Sequence, residues 1–146
     1  MIQIHFYKPC TLFEKAVSFF GKTKYCHVAI QYGHAVVEST AGYGVRCRIN
    51  YQAERSDLFF VTHSKSKDLM TEWVEHKLGT PYGYADNAQS VLRKWLHWRL
   101  GGNPRGATCV EFVCDFLYAN CGMYVEYIKG MTPDELVTEL EKKRKN

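Results

Sequence analysis

The stretch KYCHVAIQYGHAVVEST, residues 24–40, decides the fold because its alternating pattern predicts two strands joined by a tight turn. If the Gly-His pair between the strands is a two-residue hairpin loop, Tyr32 opposes Ala35. His27 and Glu38 then lie diagonally on one face of the sheet, with backbones roughly 7–8 Å apart. A glutamate side chain can span that gap, whereas a loop longer by one residue would turn Glu38 to the opposite face.

The predicted proximity of His27 and Glu38 suggests a catalytic base and the group that orients it. A cysteine nucleophile needs a base, usually histidine, and a group that orients the imidazole. Each residue also has a purely structural interpretation, since His27 could be a satisfied, half-buried histidine and Glu38 a solvated strand residue. The other histidines lie near the terminus, in the turn, at a strand end or on predicted helices, and are weaker candidates (His5, His34, His63, His76 and His97).

A candidate nucleophile occurs in ATCVEFVCDF, residues 107–116. Thr108 and Glu111 form a capping-box pattern, which makes Cys109 the first residue of a helix. Free backbone N–H groups and the helix dipole favour a negative charge there, and the thiolate is the reactive form of cysteine. Alternatively, Cys109 is a small residue that merely begins the helix. The two later cysteines share the apolar stripe of this helix and are predicted core residues (Cys114 and Cys121).

The order of predicted elements indicates an α+β fold, with an antiparallel sheet packed against helices. Strands are predicted at residues 2–7, 25–32, 35–40, 45–51 and 57–63. Helices are predicted at residues 11–22, 66–79, 88–102 and 108–122, and a last one begins after Thr132 with Pro133 at its first position. No repeat or clear linker divides the chain, so residues 1–146 are expected to form a single domain.

Composition restricts the class of protein. Hydrophobic residues make up 46% of the 146 residues and charged residues 23%, as in ordinary globular proteins. No apolar stretch is long enough for a transmembrane segment, and the N-terminus lacks the pattern of a signal peptide. A cytoplasmic protein is therefore expected, with release by lysis or carriage in a virion as other routes to a cell wall. The net charge of +4 fits anionic partners without specifying one, and no nucleic-acid partner is expected.

The six cysteines bear on disulfides and metals. They could form three disulfides, but reduced thiols are expected in a chain without a secretory signal. Zinc is disfavoured because the sequence has no C-x-x-C, and because adjacent Cys26 and His27 point to opposite sides of a strand. The sequence therefore predicts neither a metal site nor another cofactor.

The chain resembles the circularly permuted NlpC-type branch of the papain-like cysteine hydrolase superfamily. The resemblance lies in the order of a histidine on one strand, a glutamate on the next strand and a cysteine at the start of a helix. This branch includes the YiiX/YaeF-like hydrolases and the lecithin retinol acyltransferase-like enzymes. The matching stretches are KYCHVAIQYGHAVVEST, GTPYGYADN, ATCVEFV and MTPDEL, whose order and spacing cover most of the chain. The resemblance implies a papain-like fold in which the sheet carries His27 and the facing helix carries Cys109. Glu38 resembles the third site residue of the hydrolases, because the acyltransferases have a second histidine at that position. The TCVEF segment also resembles the hydrolase motif, because the acyltransferase motif begins with asparagine followed by the cysteine.

The resemblance further implies a thiol hydrolase of the peptidase or amidase type. Cys109 would attack a carbonyl of a peptide, an isopeptide, a cell-wall peptide or another acyl substrate, and its N–H would help to hold the oxyanion. His27 would act as general base and acid, and Glu38 would fix the imidazole. A lipid acyltransferase or thioesterase on the same scaffold, and a non-catalytic binding protein that retains the fold, remain alternatives. The sequence leaves the oligomeric state open.

Several aromatic residues are candidates for substrate contacts. Tyr25 is expected to share the sheet face of His27, where its hydroxyl could complete the oxyanion hole. Tyr82 and Tyr84 precede the cysteine helix and could line the cleft, although all three tyrosines could equally serve only in packing. The segment VLRKWLHWRL at residues 91–100 is expected to be a core-facing helix with a basic solvated side, and a lip for lipid or an anionic polymer is its functional alternative.

Overall fold

A computed structural model describes residues 1–49, 56–85, 88 and 106–145. Its strands are Ile2–Tyr7 (β1), His27–Tyr32 (β2), Ala35–Thr40 (β3), Gly44–Ile49 (β4) and Ser56–Thr62 (β5). Its helices are Leu12–Gly21 (α1), Lys67–Lys77 (α2), Cys109–Phe116 (α3) and Pro133–Lys145 (α4), and α3 continues into a π-helical turn at Leu117–Cys121. The helix predicted over 88–102 lies outside the described residues, which include only residue 88 of it.

The strands form one five-stranded sheet in the order β4-β3-β2-β1-β5, and every neighbouring pair is antiparallel. The predicted α+β class with an antiparallel sheet is thus confirmed at this level. No helix in the described ranges combines the length and the apolar character needed to cross a bilayer.

The hairpin of β2 and β3 has the register expected from the sequence. Tyr32 pairs with Ala35, so the connection is a two-residue loop. Gly33 has a φ of 58°, and the φ of His34 is negative. A type II′ turn requires these signs of φ at its two central positions. This turn fixes which side chains of β3 face the same side as those of β2.

One face of the sheet is covered by helices. Its central residues Ile4, Val28 and Ile30 are almost completely buried and belong to the same apolar cluster as side chains of α2, α3 and α4. From α3 that cluster includes Val110, Phe112, Val113, Cys114 and Phe116. The opposite face carries a separate, smaller apolar group of Tyr7, Ala29 and Val36. The side chains of His27 and Glu38 belong to this second face by the alternation of β2 and β3.

Side-chain caps set the beginnings of three helices as the sequence indicates. Thr11 and Glu14 form the reciprocal capping box of α1. The Thr132 hydroxyl accepts from the Glu135 N–H at 3.4 Å, while the Glu135 carboxylate accepts from the Thr132 N–H at 2.7 Å. Thr108 Oγ1 accepts from the backbone of α3 in the same way. Capping therefore places the first residue of α3 where a local sequence pattern predicts it.

The first residue of β4 must be glycine for two separate reasons. Gly44 has a φ of 71°, and a Cβ added there would collide with the Thr80 carbonyl oxygen. The approach is close because the Val45 N–H donates to that same oxygen at 2.9 Å. Gly42 has a φ of 85° but open space around it, so it isolates the conformational part of the effect.

We expect Gly42→Ala to cost about 1–2 kcal/mol of unfolding free energy through its φ alone. Gly44→Ala should cost about 1–3 kcal/mol more, because the backbone contact with Thr80 must open. Urea unfolding of the two variants beside the parent chain measures both values. Equal losses of unfolding free energy in the two variants would show that the collision of the Gly44→Ala Cβ with the Thr80 carbonyl adds no cost to that of the positive φ.

Candidate active site

His27 and Glu38 meet across the hairpin as the predicted register requires. His27 Nε2 lies 2.9 Å from Glu38 Oε2. A carboxylate only accepts hydrogen bonds, so Nε2 carries the proton and donates it. The other ring nitrogen, Nδ1, is then left for the interaction with Cys109, which contributes to the raised pKa of His27.

Two arginines of β4 hold the second oxygen of the Glu38 carboxylate. Arg46 pairs directly with Glu38 across the strands, and Arg48 lies two residues further along the same face. Arg46 Nη2 and Arg48 Nη2 approach Glu38 Oε1 at 2.9 and 2.8 Å. Arg46 Nε also donates to this oxygen at 3.0 Å. The carboxylate is 1% exposed, and its burial is tolerated because both oxygens are engaged by charged or polar donors.

Cys109 is the first residue of α3 and is 5% exposed. The N-cap residue Thr108 accepts from the Glu111 N–H at 3.2 Å, so the N–H of Cys109 belongs to the first turn, which has no intrahelical acceptor. This turn carries the partial positive charge of the helix N-terminus. The side chain of Cys109 therefore begins at the helix N-terminus, and it also interacts with His27.

The chain before Cys109 is anchored to the sheet and to the loop after α2. Buried Ser39 donates its hydroxyl to the Ala107 carbonyl at 2.7 Å. Tyr82 and Ala107 form a parallel bridge, with Gly83 N donating to Ala107 O and Ala107 N to Pro81 O. A Cβ at Gly106 would lie 2.9 Å from the Tyr82 carbonyl oxygen, so this close approach also depends on a missing side chain. Ser39 neighbours Glu38 in β3, which links the carboxylate and the cysteine segment through one strand.

Helix α4 fixes the chain that leads into His27. One carboxylate oxygen of Asp134 accepts from the Lys24 N–H at 2.7 Å, and the other accepts from the Tyr25 N–H at 3.0 Å. These contacts join residues 110 and 109 positions apart. The MTPDEL segment therefore supports the histidine strand from a distance, in addition to beginning its own helix.

Tyr25 differs from the expectation that it shares the sheet face of His27. Strand β2 begins at His27, so the alternation does not extend back to residue 25. Tyr25 is buried in the apolar cluster on the helix side of the sheet, with its ring 5.4 Å from that of Phe6. Its hydroxyl donates to Asp57 Oδ2 at 2.7 Å. The proposed role in the oxyanion hole is not tested by these contacts, but the argument from a shared face was wrong.

Tyr82 and Tyr84 form a pair beside the site, with ring centroids 5.1 Å apart. Burial raises the pKa of Tyr82, and the nearby charge of Cys109 adds to that shift. Tyr84 is more exposed, and its hydroxyl accepts from the Gly42 N–H at 2.6 Å. Tyr82 is thus close to Cys109, while Tyr84 connects the loop after α2 to the turn between β3 and β4.

Two cavities meet at the site. The larger has a volume of about 420 Å³, and its wall includes His27, Glu38, Tyr82, Arg46 and Arg48. The smaller, of about 30 Å³, is lined by Cys109 and Thr108 among others. Cys26 and Val17 line both cavities, so they mark the place where the two adjoin. The larger cavity is the space in which a substrate could approach the imidazole.

The electrostatics of the site favour an ionised histidine–glutamate pair. Burial lowers the pKa of His27, but hydrogen bonds to Cys109 and Glu38 outweigh it and raise the pKa to about 9. For Glu38, burial raises the pKa, while the hydrogen bond from His27 and the charges of His27, Arg48 and Arg46 lower it to about 2. His27 is therefore positioned to hold a proton that a thiol has given up.

The remaining cysteines differ from Cys109. All six are free thiols. Cys114 is buried in the core, as predicted, and burial raises its pKa to about 12. Cys121 is only half-buried and packs against the edge of that core. Cys26 lies beside the site, where burial is the main cause that raises its pKa to about 12.

A search of protein-family models and a search of curated proteins found no match to this chain. Within residues 1–49, 56–85, 88 and 106–145, no cluster of three or more histidine, cysteine or acidic side chains could hold a metal ion. The VLRKWLHWRL segment and its suggested lip lie outside the described residues.

Sequence reasoning missed the two arginines, Ser39 and Asp134. The R-x-R pattern of VRCRINY places both arginines on one strand face, but the turn before β4 left their register with Glu38 undetermined. Ser39 and Asp134 act on backbone groups 68 to 110 residues away. No local pattern signals such contacts.

The raised pKa of His27 predicts a specific pH dependence of stability. Its ordinary value is 6.5, so the folded chain binds this proton more tightly than the unfolded chain. The stabilisation is complete below pH 6.5 and is lost as the pH rises through about 9. It amounts to about 3 kcal/mol at most.

We expect the melting temperature of the parent chain to fall more steeply over this alkaline range than that of His27→Gln. Cys26 and Cys114 also titrate there and are present in both proteins, whereas Cys109 interacts with His27, so the difference between the curves reports His27 together with that interaction. Thermal unfolding at a series of pH values gives the difference. Parallel curves for the two proteins would contradict the inferred proton on His27.

Proposed function

We propose that the chain is a thiol hydrolase in which Cys109, His27 and Glu38 act as a catalytic triad. The observation that carries the proposal is that one imidazole bonds to Glu38 through Nε2 at 2.9 Å and also interacts with the side chain of Cys109, the first residue of α3. A nucleophile, a base and an orienting group in this order are what acyl transfer from an amide or ester requires.

The proposed reaction begins when His27 Nδ1 takes the proton of the Cys109 thiol. The sulfur attacks the carbonyl carbon of the substrate, and the electrons of the C=O bond move to oxygen, which the Cys109 N–H stabilises. The tetrahedral intermediate collapses as His27 protonates the leaving amine or alkoxide. Water, deprotonated by the same nitrogen, then attacks the thioester, and the acid is released with the thiol restored.

Glu38 serves this cycle by keeping the imidazole in one tautomer. With Nε2–H held by Oε2, the lone pair of Nδ1 is the one left to accept the proton of the thiol. The arginine contacts to Oε1 prevent the carboxylate from turning away or accepting the proton. A low pKa of about 2 keeps Glu38 ionised throughout, so it stabilises the imidazolium that forms in each half of the reaction.

The antiparallel sheet, the histidine at the start of β2 and the cysteine at the start of α3 support a permuted NlpC-type, papain-like fold for the chain. On that scaffold a peptidase or amidase is favoured over a lipid acyltransferase. The residue bonded to the imidazole is a buried carboxylate rather than a second histidine. The proposed substrates are peptides, isopeptides or cell-wall peptides.

Substitutions of the triad should separate catalysis from folding. Cys109→Ala should abolish hydrolysis, and His27→Gln should lower kcat/KM by about 10² to 10⁴ because general acid–base catalysis is lost. Glu38→Gln should lower kcat with little change in KM, since the imidazole loses its orientation rather than its contact with substrate. Cys47→Ala, at an exposed position on β4, is the matched control and should retain full activity.

The measurement is turnover of a panel of peptidoglycan fragments, isopeptides and acyl lipids by each variant. Activity on the first two classes that vanishes in Cys109→Ala supports the peptidase or amidase. Turnover of acyl lipids alone favours the acyltransferase or thioesterase. A panel activity that survives Cys109→Ala, or Cys109 alkylation that is unchanged by His27→Ala, would refute the triad.

A further inference from the structure

We propose that Cys26 and Cys109 form an oxidation site, at which hydrogen peroxide converts the two thiols to a disulfide that a thiol reductant reverses. The inference rests on the reactive sulfur of the proposed function, but it concerns a different reaction of that sulfur. While the disulfide exists, Cys109 cannot attack a carbonyl. It is also shielded from further oxidation to a sulfinic or sulfonic acid, which a thiol reductant does not reverse.

Cys26 and Cys109 border the same small cavity. Its volume is about 30 Å³, and these are the two cysteines that line it among the residues that the structure describes. One water molecule needs a cavity of about 10–15 Å³, so this cavity has room for a molecule as small as hydrogen peroxide. Burial is the main cause of the raised pKa of Cys26, and the charges of Glu14 and Cys109 add to it, as expected for neighbouring side chains.

Each of the two thiols lies at the beginning of a regular element. Cys26 is the residue before β2, and Cys109 is the first residue of α3. The backbone N–H and the thiol of Cys26 both donate to the Tyr7 carbonyl, at 2.9 and 3.4 Å. A thiol is a weak donor, so little is lost when the sulfur of Cys26 turns from that carbonyl towards Cys109.

The two thiols differ in reactivity, and this difference sets the order of the steps. Burial is the main cause that raises the pKa of Cys26 to about 12, so this thiol keeps its proton and reacts slowly with peroxide. Cys109 begins a helix, where a thiolate is favoured, and it interacts with His27, which can take its proton. Cys109 is therefore oxidised first, and Cys26 then forms the disulfide with it.

The reaction has two steps. In the first, the Cys109 sulfur attacks one peroxide oxygen, the O–O bond breaks, and the departing hydroxide takes the thiol proton from His27 and leaves as water. Cys109 is then a sulfenic acid. In the second, the Cys26 sulfur attacks the Cys109 sulfur, the S–O bond breaks, and the departing oxygen takes the Cys26 proton and leaves as water. The two thiols lose two electrons in total, and one peroxide becomes two water molecules.

Mass spectrometry of the peroxide-treated chain tests the site directly. The intact chain is treated with hydrogen peroxide, remaining thiols are blocked with iodoacetamide, and the peptides are analysed without reduction. The parent chain should yield peptides joined through Cys26 and Cys109, and Cys26→Ser should lose them. Serine keeps a hydroxyl donor for the Tyr7 carbonyl, so this variant removes the sulfur and retains the contact.

Cys10→Ser is the matched control. Cys10 is exposed and is the other thiol that contributes to the pKa of Cys26, which makes it the alternative partner. Its thiol donates to Glu14 Oε2 at 3.0 Å, a contact that a serine hydroxyl can also make. We expect Cys10→Ser to retain the disulfide between Cys26 and Cys109.

Recovery after oxidation gives a second measurement. Dithiothreitol should restore iodoacetamide labelling of Cys109 in the parent chain, whereas in Cys26→Ser this labelling should be lost, because Cys109 proceeds to sulfinic and sulfonic acid. Oxidation of Cys109 in the parent chain without a bond to Cys26, or with a bond to Cys10, overturns the proposal, since the two side chains would then be too far apart to bond. If Cys109 is neither oxidised by peroxide nor alkylated faster than exposed Cys47, the oxidation site and the proposed function both fail.

Discussion

The buried carboxylate of Glu38 is the constraint on which the site depends. One oxygen accepts from His27 and the other from two arginines, so a charge with 1% exposure is fully engaged. Removing any one donor would leave an incompletely paired buried charge, which proteins tolerate poorly. The side chains of three adjacent strands, β2, β3 and β4, must therefore be in register at one point of the sheet.

That register explains how much the sequence alone could predict. The contact of His27 with Glu38 follows from a two-residue turn and strand alternation, and the start of α3 follows from Thr108. Both are local rules. Arg46 and Arg48 could not be placed, because the turn after β3 left the register of β4 open. Tyr25 was assigned to the wrong face because β2 begins two residues later than assumed.

The two sides of the proposed dyad reach their positions by different means. Cys109 is held by backbone: the bridge to Tyr82, the Ser39 hydroxyl and the capping of α3 all act on its own segment. His27 is held by its side chain, between Glu38 and the ring of Tyr7, whose centroid lies 5.5 Å away. A cysteine whose backbone segment is fixed and an imidazole held by a carboxylate suit the proposed proton transfer between them.

The contact of Asp134 with the backbone at residues 24 and 25 has a consequence for biosynthesis. The strand that carries His27 is synthesised before the carboxylate of Asp134, which lies 110 residues after Lys24 and holds the backbone that leads into this strand. Until α4 has been made and has docked, the nascent chain lacks the support that aligns imidazole and sulfur. The support for the strand that carries His27 is therefore completed only after Asp134 has been made and α4 has docked.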